Sequence, residues 1–270
     1  MRTIAIMNNK GGVGKTVTAV VLADCLALDH HKRVLLIDAD PQGNSSQYFN
    51  AAADEGADLL ALLQGANEPY YPDFVTPVRP GVDIIPSDMN LICAEVDAIL
   101  HPNKCNTNAI EDLRKTIAED AASPNSEDRN TAYDYILIDC PPSFSVLTTA
   151  SLTAADEVII PIAIDPFSTA GVANLIVQVQ NMQRINDRLR ITGLLATRCH
   201  RPSANESFFA SLSEKSHLPI YNTKIRESPL VADALSAGIP LTVFSPRCAA
   251  SIDYRQFVRE FLRQEETDNG

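Results

Sequence analysis

Six short apolar runs recur along the chain, and longer stretches with helical periodicity separate them. Several of the runs are apolar nearly throughout, as is expected of strands that are covered on both faces. The predicted strands are 3–8, 33–38, 82–86, 133–139, 157–162 and 191–197, and the predicted helices include 15–29, 169–188, 228–237 and 249–264. This alternation predicts an α/β fold: a doubly wound, mostly parallel sheet with right-handed crossovers and helices on both faces.

The sequence predicts a single domain over residues 1–270. The stretch AASPNSEDRNTA, residues 121–132, is polar and rich in residues that interrupt regular structure. The strand predicted after it continues the same alternation, so we interpret this stretch as a surface loop and not as a domain boundary. No internal repeat or low-complexity segment divides the sequence.

Composition and charge disfavour several classes of protein. With 22 Lys and Arg against 34 Asp and Glu, the net charge is −12. This balance argues against a protein that coats nucleic acid over its whole surface, although it leaves room for a local basic patch. The six cysteines form no Cys-x-x-Cys pair or Cys/His cluster, which disfavours an iron–sulfur or zinc site. No membrane-length apolar run and no signal peptide is evident, so we expect a cytoplasmic protein.

A glycine-rich segment, KGGVGKT at residues 10–16, joins the first predicted strand to the first predicted helix. Its three glycines allow consecutive backbone N–H groups to converge on one anion, and the helix N-terminus adds the positive end of its dipole. In such a loop Lys15 reaches the β- and γ-phosphates of a nucleotide, and the Thr16 hydroxyl binds Mg²⁺. The predicted nucleotide-binding residues here are Gly11, Gly12, Val13, Gly14, Lys15, Thr16 and Val17.

Three aspartates follow predicted strands. Asp38 and Asp40 lie in DADPQGN, at the carboxyl end of a strand, where open α/β sheets bind ligands. Pro41 biases Asp40 away from helical angles and so holds it in an extended segment. Asp139 ends a hydrophobic strand, as a carboxylate that holds Mg²⁺ through water does. Asp38 either supports the magnesium shell or caps its strand, and the sequence leaves both interpretations open.

The glycine-rich segment departs from the standard P-loop pattern, because Asn9 stands at the first glycine position and Lys10 follows it. This form resembles the deviant P-loop of the ParA/MinD group of ATPases, which are SIMIBI-like P-loop NTPases. The similarity to ParA/Soj-type partition ATPases extends over essentially the whole chain, in family order. The further segments that carry it are 58–65, 81–97, 155–176 and 223–246.

The resemblance implies a Mg²⁺-dependent ATPase that forms a homodimer on ATP. In that group the first lysine, Lys10 here, crosses the dimer interface to the nucleotide of the facing subunit. The aspartate of the D-P-Q-G-N segment, Asp40 here, orients or polarises the attacking water. Because no resident arginine finger is evident, we expect slow turnover unless a partner stimulates it. The catalytic residues implied are thus Lys10, Lys15 and Asp40.

The resemblance also implies what the ATPase acts on. ParA proteins bind DNA non-specifically as ATP dimers, associate with the nucleoid in that state, and work with a ParB-like centromere-binding protein. We therefore expect a switch that drives partition of a plasmid, mobile element or chromosome. The alternative is a ParA-like ATPase that positions a protein cargo. A metabolic enzyme is disfavoured by the unpaired cysteines and by the lack of a second substrate motif.

The sequence departs from the family where the base would bind. Arg226 stands where the family often has a proline that lines the adenine pocket. Thr197 and Arg198 stand where MinD-like members have an asparagine that reads the base. Thr197 and Arg226 are therefore the predicted residues beside the base, and the choice of adenine over guanine rests on the resemblance alone.

The last predicted helix carries a candidate DNA-binding surface. Arg255, Arg259 and Arg263 step by four residues and so form one basic ridge away from the apolar stripe of this helix. Two copies of the ridge in a dimer would double the phosphate contacts. A solvated helix face is the equal alternative. The chain ends in the acidic QEETDNG, whereas MinD-like membrane binding needs a basic amphipathic tail, so no membrane partner is expected.

Overall fold

The structure is a computed structural model that describes residues 1–52, 56–65, 71–122, 132–163, 168–200, 209, 212–214 and 218–268. Of the surface loop predicted at 121–132, residues 123–131 lie outside the described residues. None of the described helices is long and apolar enough to cross a membrane.

The described residues form one eight-stranded sheet. Its strands are β1 (Arg2–Ile6), β2 (Val34–Asp38), β3 (Thr76–Arg79), β4 (Val82–Ile85), β5 (Tyr135–Asp139), β6 (Glu157–Ala163), β7 (Arg190–Cys199) and β8 (Ile220–Arg226). They lie in the order β3-β4-β2-β5-β1-β6-β7-β8, and every neighbouring pair is parallel except β3 with β4. The predicted fold class is confirmed, and all six predicted strands are present. The two edge strands, β3 and β8, were not predicted.

Ten helices whose bounds lie within the described residues connect and cover these strands. They are α1 (Lys15–His30), α2 (Asn44–Phe49), α3 (Leu59–Leu63), α4 (Ile92–Leu100), α5 (Ala109–Ala122), α6 (Val146–Ala154), α7 (Ser168–Met182), α8 (Leu230–Ala237), α9 (Leu241–Phe244) and α10 (Ala249–Asp268). Short 3₁₀ helices span Tyr71–Phe74, Met89–Leu91 and Pro102–Lys104.

The helix predicted at 169–188 was too long, because α7 ends at Met182. The side-chain amide of Asn186 donates to the carbonyls of Leu152 and Ala155, at 2.9 and 2.6 Å. These bonds hold the residues that follow Met182 in turns next to the end of α6. A helix continued to residue 188 could not make them.

The core lies on both faces of the sheet. Successive side chains of a strand point to opposite faces, so Leu35 and Ile37 of β2 join one apolar cluster while Val34 and Leu36 join the other. Helices α5, α6 and α7 cover the first face, and α1 and α10 cover the second. Burial on both faces is why the central strands read as continuous apolar runs in the sequence.

This topology brings three sequence motifs to one edge of the sheet. Strands β2, β5 and β1 are neighbours and run parallel. Their carboxyl ends therefore lie side by side, with Asp38 paired in register with Asp139. The glycine-rich loop leaves the adjacent end of β1.

Candidate nucleotide-binding site

The glycine-rich loop folds around the Lys15 side chain. Gly12 and Gly14 have φ values of 74° and 88°, in the left-handed region that glycine adopts without strain. Lys15 is 7% exposed, and its Nζ donates to the Lys10 carbonyl at 3.2 Å. Burial lowers the pKa of Lys15, and the nearby charges of Asp139 and Asp40 oppose that shift. A buried ammonium inside a loop of this shape is suited to bind a polyphosphate.

Asp139 lies buried behind the loop. Its Oδ2 accepts a hydrogen bond from the Ser45 hydroxyl at 2.8 Å, whereas its Oδ1 is buried without a hydrogen-bond partner among the described residues. Burial raises the pKa of Asp139, and the hydroxyls of Ser45 and Thr16 counteract the shift. An unpartnered carboxylate oxygen near the Thr16 hydroxyl is a hard oxygen donor set, which fits Mg²⁺. Ser45 was not predicted from the sequence.

Asp38 anchors the segment that follows β2. Its Oδ2 accepts from the Ser46 backbone N–H at 2.8 Å and from the Ser46 hydroxyl at 2.7 Å, and its Oδ1 accepts from the Asp40 N–H at 3.3 Å. Burial, together with the charge of Asp139, raises the pKa of Asp38. Of the two interpretations that the sequence left open, these contacts favour the capping role over the predicted role in the magnesium shell.

The Asp40 side chain lines the same open space as the glycine-rich loop. It is 7% exposed, and its Oδ1 accepts from the Gln42 N–H at 3.0 Å. Its carbonyl accepts from the Gly43 N–H at 2.8 Å and from the Ser87 hydroxyl at 2.9 Å. The tight turn and the tie to Ser87 fix the backbone that carries this carboxylate.

A cavity of about 880 Å³ opens between these elements, within the size range of nucleotide-sized ligand pockets. Its polar lining includes the loop residues and Asp40, together with Thr197, Arg198 and Arg226. Its apolar lining comes from side chains of β8, α8 and α10. The lining residues of the glycine-rich segment are Gly11, Gly12, Gly14, Lys15, Thr16 and Val17, whereas Val13 is buried.

The two predicted base-side residues reach the cavity, but their donors are engaged within the protein. The Thr197 hydroxyl donates to the Val13 carbonyl at 2.7 Å. The Arg226 guanidinium pairs with both carboxylate oxygens of Asp253, at 2.8 and 2.7 Å. The hydroxyl proton of Thr197 is therefore committed to the loop, and the place of Thr197 beside the base stays a prediction.

The three arginines of the predicted ridge lie on α10 and differ in their surroundings. Arg255 Nε pairs with Asp29 of α1 at 2.9 Å, and its other nitrogens donate to the carbonyls of Pro246 and Thr242. Its side chain thus joins α10 to the elements packed against it. Arg259 and Arg263 are exposed. The packing of α10 on α1 brings Arg255 to Asp29, and the contact of the three arginines with DNA stays a prediction.

The fold and site together define a P-loop nucleoside triphosphatase: a glycine-rich loop after a central strand, a buried lysine, and an aspartate that ends the neighbouring strand. A family model described as an AAA domain matches residues 1–191. The chromosome partitioning protein ParA of Caulobacter vibrioides is 33% identical over 98% of this chain and 95% of its own length. The chromosome-partitioning ATPase Soj of Thermus thermophilus is 33% identical, with 97% and 96% covered. The chain belongs to the ParA/Soj family of partitioning ATPases.

A solved structure with bound ligands is also similar to this chain. Cobyrinic acid a,c-diamide synthase from Mycobacterium smegmatis, solved with a bound ATP analogue and magnesium, superposes with a TM-score of 0.79. It is 25% identical in sequence, and the match covers 99% of this chain and 97% of that one.

Proposed function

We propose that the chain, acting as one P-loop domain, binds ATP with Mg²⁺ in the 880 Å³ cavity and hydrolyses it to ADP and phosphate. The observation that carries this proposal is the arrangement of Lys15, Thr16 and Asp40 on the cavity, with the unpartnered Oδ1 of Asp139 behind them. The family membership and the ATP analogue and magnesium in the synthase structure support it.

Each group has a role in phosphoryl transfer, which depends on positioning and charge neutralisation more than on a covalent nucleophile. Lys15 neutralises charge on the β- and γ-phosphates. Thr16 and Asp139 would hold Mg²⁺, which supplies further positive charge to the phosphates when bound. Asp40 orients the attacking water. Turnover is slow until a partner stimulates it.

Lys10 serves a second copy of the chain. Its backbone belongs to its own loop, since the N–H donates to Asn8 Oδ1 at 3.0 Å and the carbonyl accepts from Lys15. Its side chain lies at an exposed position. An exposed lysine next to the cavity can reach a nucleotide in a facing subunit, so ATP binding and dimerisation become coupled.

The ATP dimer binds DNA non-specifically and partitions a plasmid, mobile element or chromosome, with a ParB-like protein as the stimulating partner and the nucleoid as the track. The family membership supports this role. Arg259 and Arg263 of α10 are the exposed cations that would contact phosphates. Doubling them in a dimer makes DNA binding dependent on ATP and sensitive to salt.

Fluorescence anisotropy with labelled non-specific DNA in low salt tests the switch. Wild-type protein should bind the DNA with ATP and release it with ADP. A variant carrying Arg259→Glu and Arg263→Glu should lose binding while keeping ATP hydrolysis. The matched control carries Lys104→Glu and Arg184→Glu, two exposed cations away from α10, and has the same net charge. Equal DNA affinity with ATP and ADP would refute the switch.

A protein cargo is the second candidate function. The observation that favours it is the engagement of Arg255 with Asp29, which leaves α10 less basic in a chain of net charge −12. In that case the ATP dimer forms and hydrolyses ATP, but the anisotropy of the DNA stays unchanged at every nucleotide condition.

A further inference from the structure

Strand β7 carries a bulge where it reaches the cavity. Ala196 pairs with Lys224 and Cys199 with Arg226, so three residue steps on β7 face two on β8. Within this bulge Arg198 has a φ of 52°, in the left-handed region that residues other than glycine rarely adopt. β-Bulges as a class are frequent next to active sites, where they redirect a side chain.

The bulge changes which way two neighbouring side chains point. In a regular strand, Thr197 and Arg198 would lie on opposite faces of the sheet. Here both reach the glycine-rich loop. The Thr197 hydroxyl donates to the Val13 carbonyl at 2.7 Å, and Arg198 Nη1 donates to the Gly12 carbonyl at 3.1 Å.

Glu227 at the end of β8 holds the arginine in this position. Its Oε1 accepts from Nε of Arg198 at 3.2 Å and from Nη2 at 2.9 Å. One edge of the guanidinium, formed by Nε and Nη2, is thereby occupied, and Nη1 is left to donate to the loop. The left-handed backbone of Arg198 is thus part of a built arrangement of bulge, acid and loop.

Holding two successive carbonyls also sets the direction of two N–H groups. The Gly12 carbonyl and the Val13 N–H belong to one trans peptide unit, as do the Val13 carbonyl and the Gly14 N–H, and in such a unit the two groups point in opposite directions. Neither N–H has a hydrogen-bond acceptor among the described residues. These donors face away from β7.

We propose that Thr197 and Arg198 are positioning residues, a carbonyl clamp that aims the Val13 and Gly14 N–H groups at the phosphates of the bound nucleotide. This inference rests on the proposed nucleotide-binding function and assigns these two residues to the phosphates and not to the base. A loop whose donors are already oriented loses less conformational freedom when the anion binds, which strengthens binding.

If the clamp acts on the phosphates, its removal should weaken the binding of every ligand equally, whatever base the ligand carries. The Thr197→Val variant keeps the shape of the side chain but removes the donor. It should bind Mg²⁺ complexes of ADP, GDP and inorganic tripolyphosphate each roughly fivefold more weakly, the effect of losing one hydrogen bond. Thr197→Ser, which restores the hydroxyl, should recover the affinity. Isothermal titration calorimetry measures all of these ligands on the full chain.

Thr192→Val is the matched control. Its hydroxyl donates to the Val158 carbonyl at 3.0 Å, so the same chemical bond is removed from the same strand at its opposite end. It should bind all three ligands as wild type does. Arg198→Gly deletes the guanidinium but suits the left-handed backbone, so it should weaken tripolyphosphate binding without lowering the melting temperature.

Two results would overturn the clamp. One is a Thr197→Val protein that binds all three ligands as tightly as wild type. The other is weakening confined to ADP, which would make Thr197 a base-reading residue. If instead the wild-type chain binds none of the three ligands, the proposed nucleotide-binding function itself fails and the clamp fails with it.

Discussion

Gly43 ends the turn that contains Asp40, and it packs against the segment that contains Ser87. Its φ is 61°, and a Cβ added there would lie 2.7 Å from the Ser87 carbonyl oxygen. The Ser87 hydroxyl in turn holds the Asp40 carbonyl at 2.9 Å. Gly43→Ala therefore introduces both a left-handed alanine and a backbone clash, at the segment that positions Asp40.

The free-energy cost of each of these two effects can be estimated separately. A non-glycine residue in the left-handed region costs roughly 1 kcal/mol. Forcing a methyl group into a packed contact costs roughly 1–3 kcal/mol more, because backbone must move. We expect Gly43→Ala to lower the free energy of unfolding by about 2–4 kcal/mol. Gly56 isolates the first effect, since its φ is 83° and an added Cβ would meet nothing within 4 Å.

Urea unfolding followed by circular dichroism measures both variants. Gly56→Ala should lose about 1 kcal/mol, and Gly43→Ala clearly more. The ATP turnover of Gly43→Ala should also fall, because the shift of Ser87 displaces Asp40, whereas Gly56→Ala should keep the wild-type rate. Equal losses of stability in the two variants would refute the contact on which this reasoning depends.

Three further outcomes follow from the buried charges. Lys15→Ala should abolish ATP binding measured by calorimetry, and retained affinity would remove Lys15 from the site. Arg79→Met leaves the buried Asp24 without its ion-pair partner at 2.7 Å, so denaturation should show a loss of about 3 kcal/mol that Asp24→Asn largely reverses; a neutral Arg79→Met contradicts this. Because burial raises the folded-state pKa of Asp38, its contribution to stability is lost as pH rises through that pKa. Asp38→Asn should therefore be more stable than wild type at about pH 8 and lose that advantage as pH falls from about 7 toward about 4, and a pH-independent difference would count against it.

The central strands and the loop could be predicted because their signals are local. A strand buried on both faces must be apolar along its length, as β2 and β5 are, and the loop's glycines and lysines are contiguous. The edge strands lack this signal. In β3, Pro77 interrupts the run, and β8 alternates buried residues with partly buried or exposed ones because only one face is fully covered.

Side-chain partners that are distant in sequence could not be predicted. Ser45 is 94 residues from Asp139 and meets it only through the register of the sheet. The partners of Thr197 and Arg255 could not be predicted for the same reason. A bulge turns Thr197 toward the loop, and the packing of α10 on α1 turns Arg255 toward Asp29, which is 226 positions away.

The central claim is that this chain binds ATP through Lys15 and offers Lys10 to the nucleotide of a second copy. Sedimentation velocity with a non-hydrolysable ATP analogue tests it most directly, with calorimetry to establish that each variant binds the analogue. Wild type should sediment as a dimer, and Lys10→Ala should bind the analogue yet remain a monomer. A Lys10→Ala protein that dimerises as completely as wild type would contradict the account.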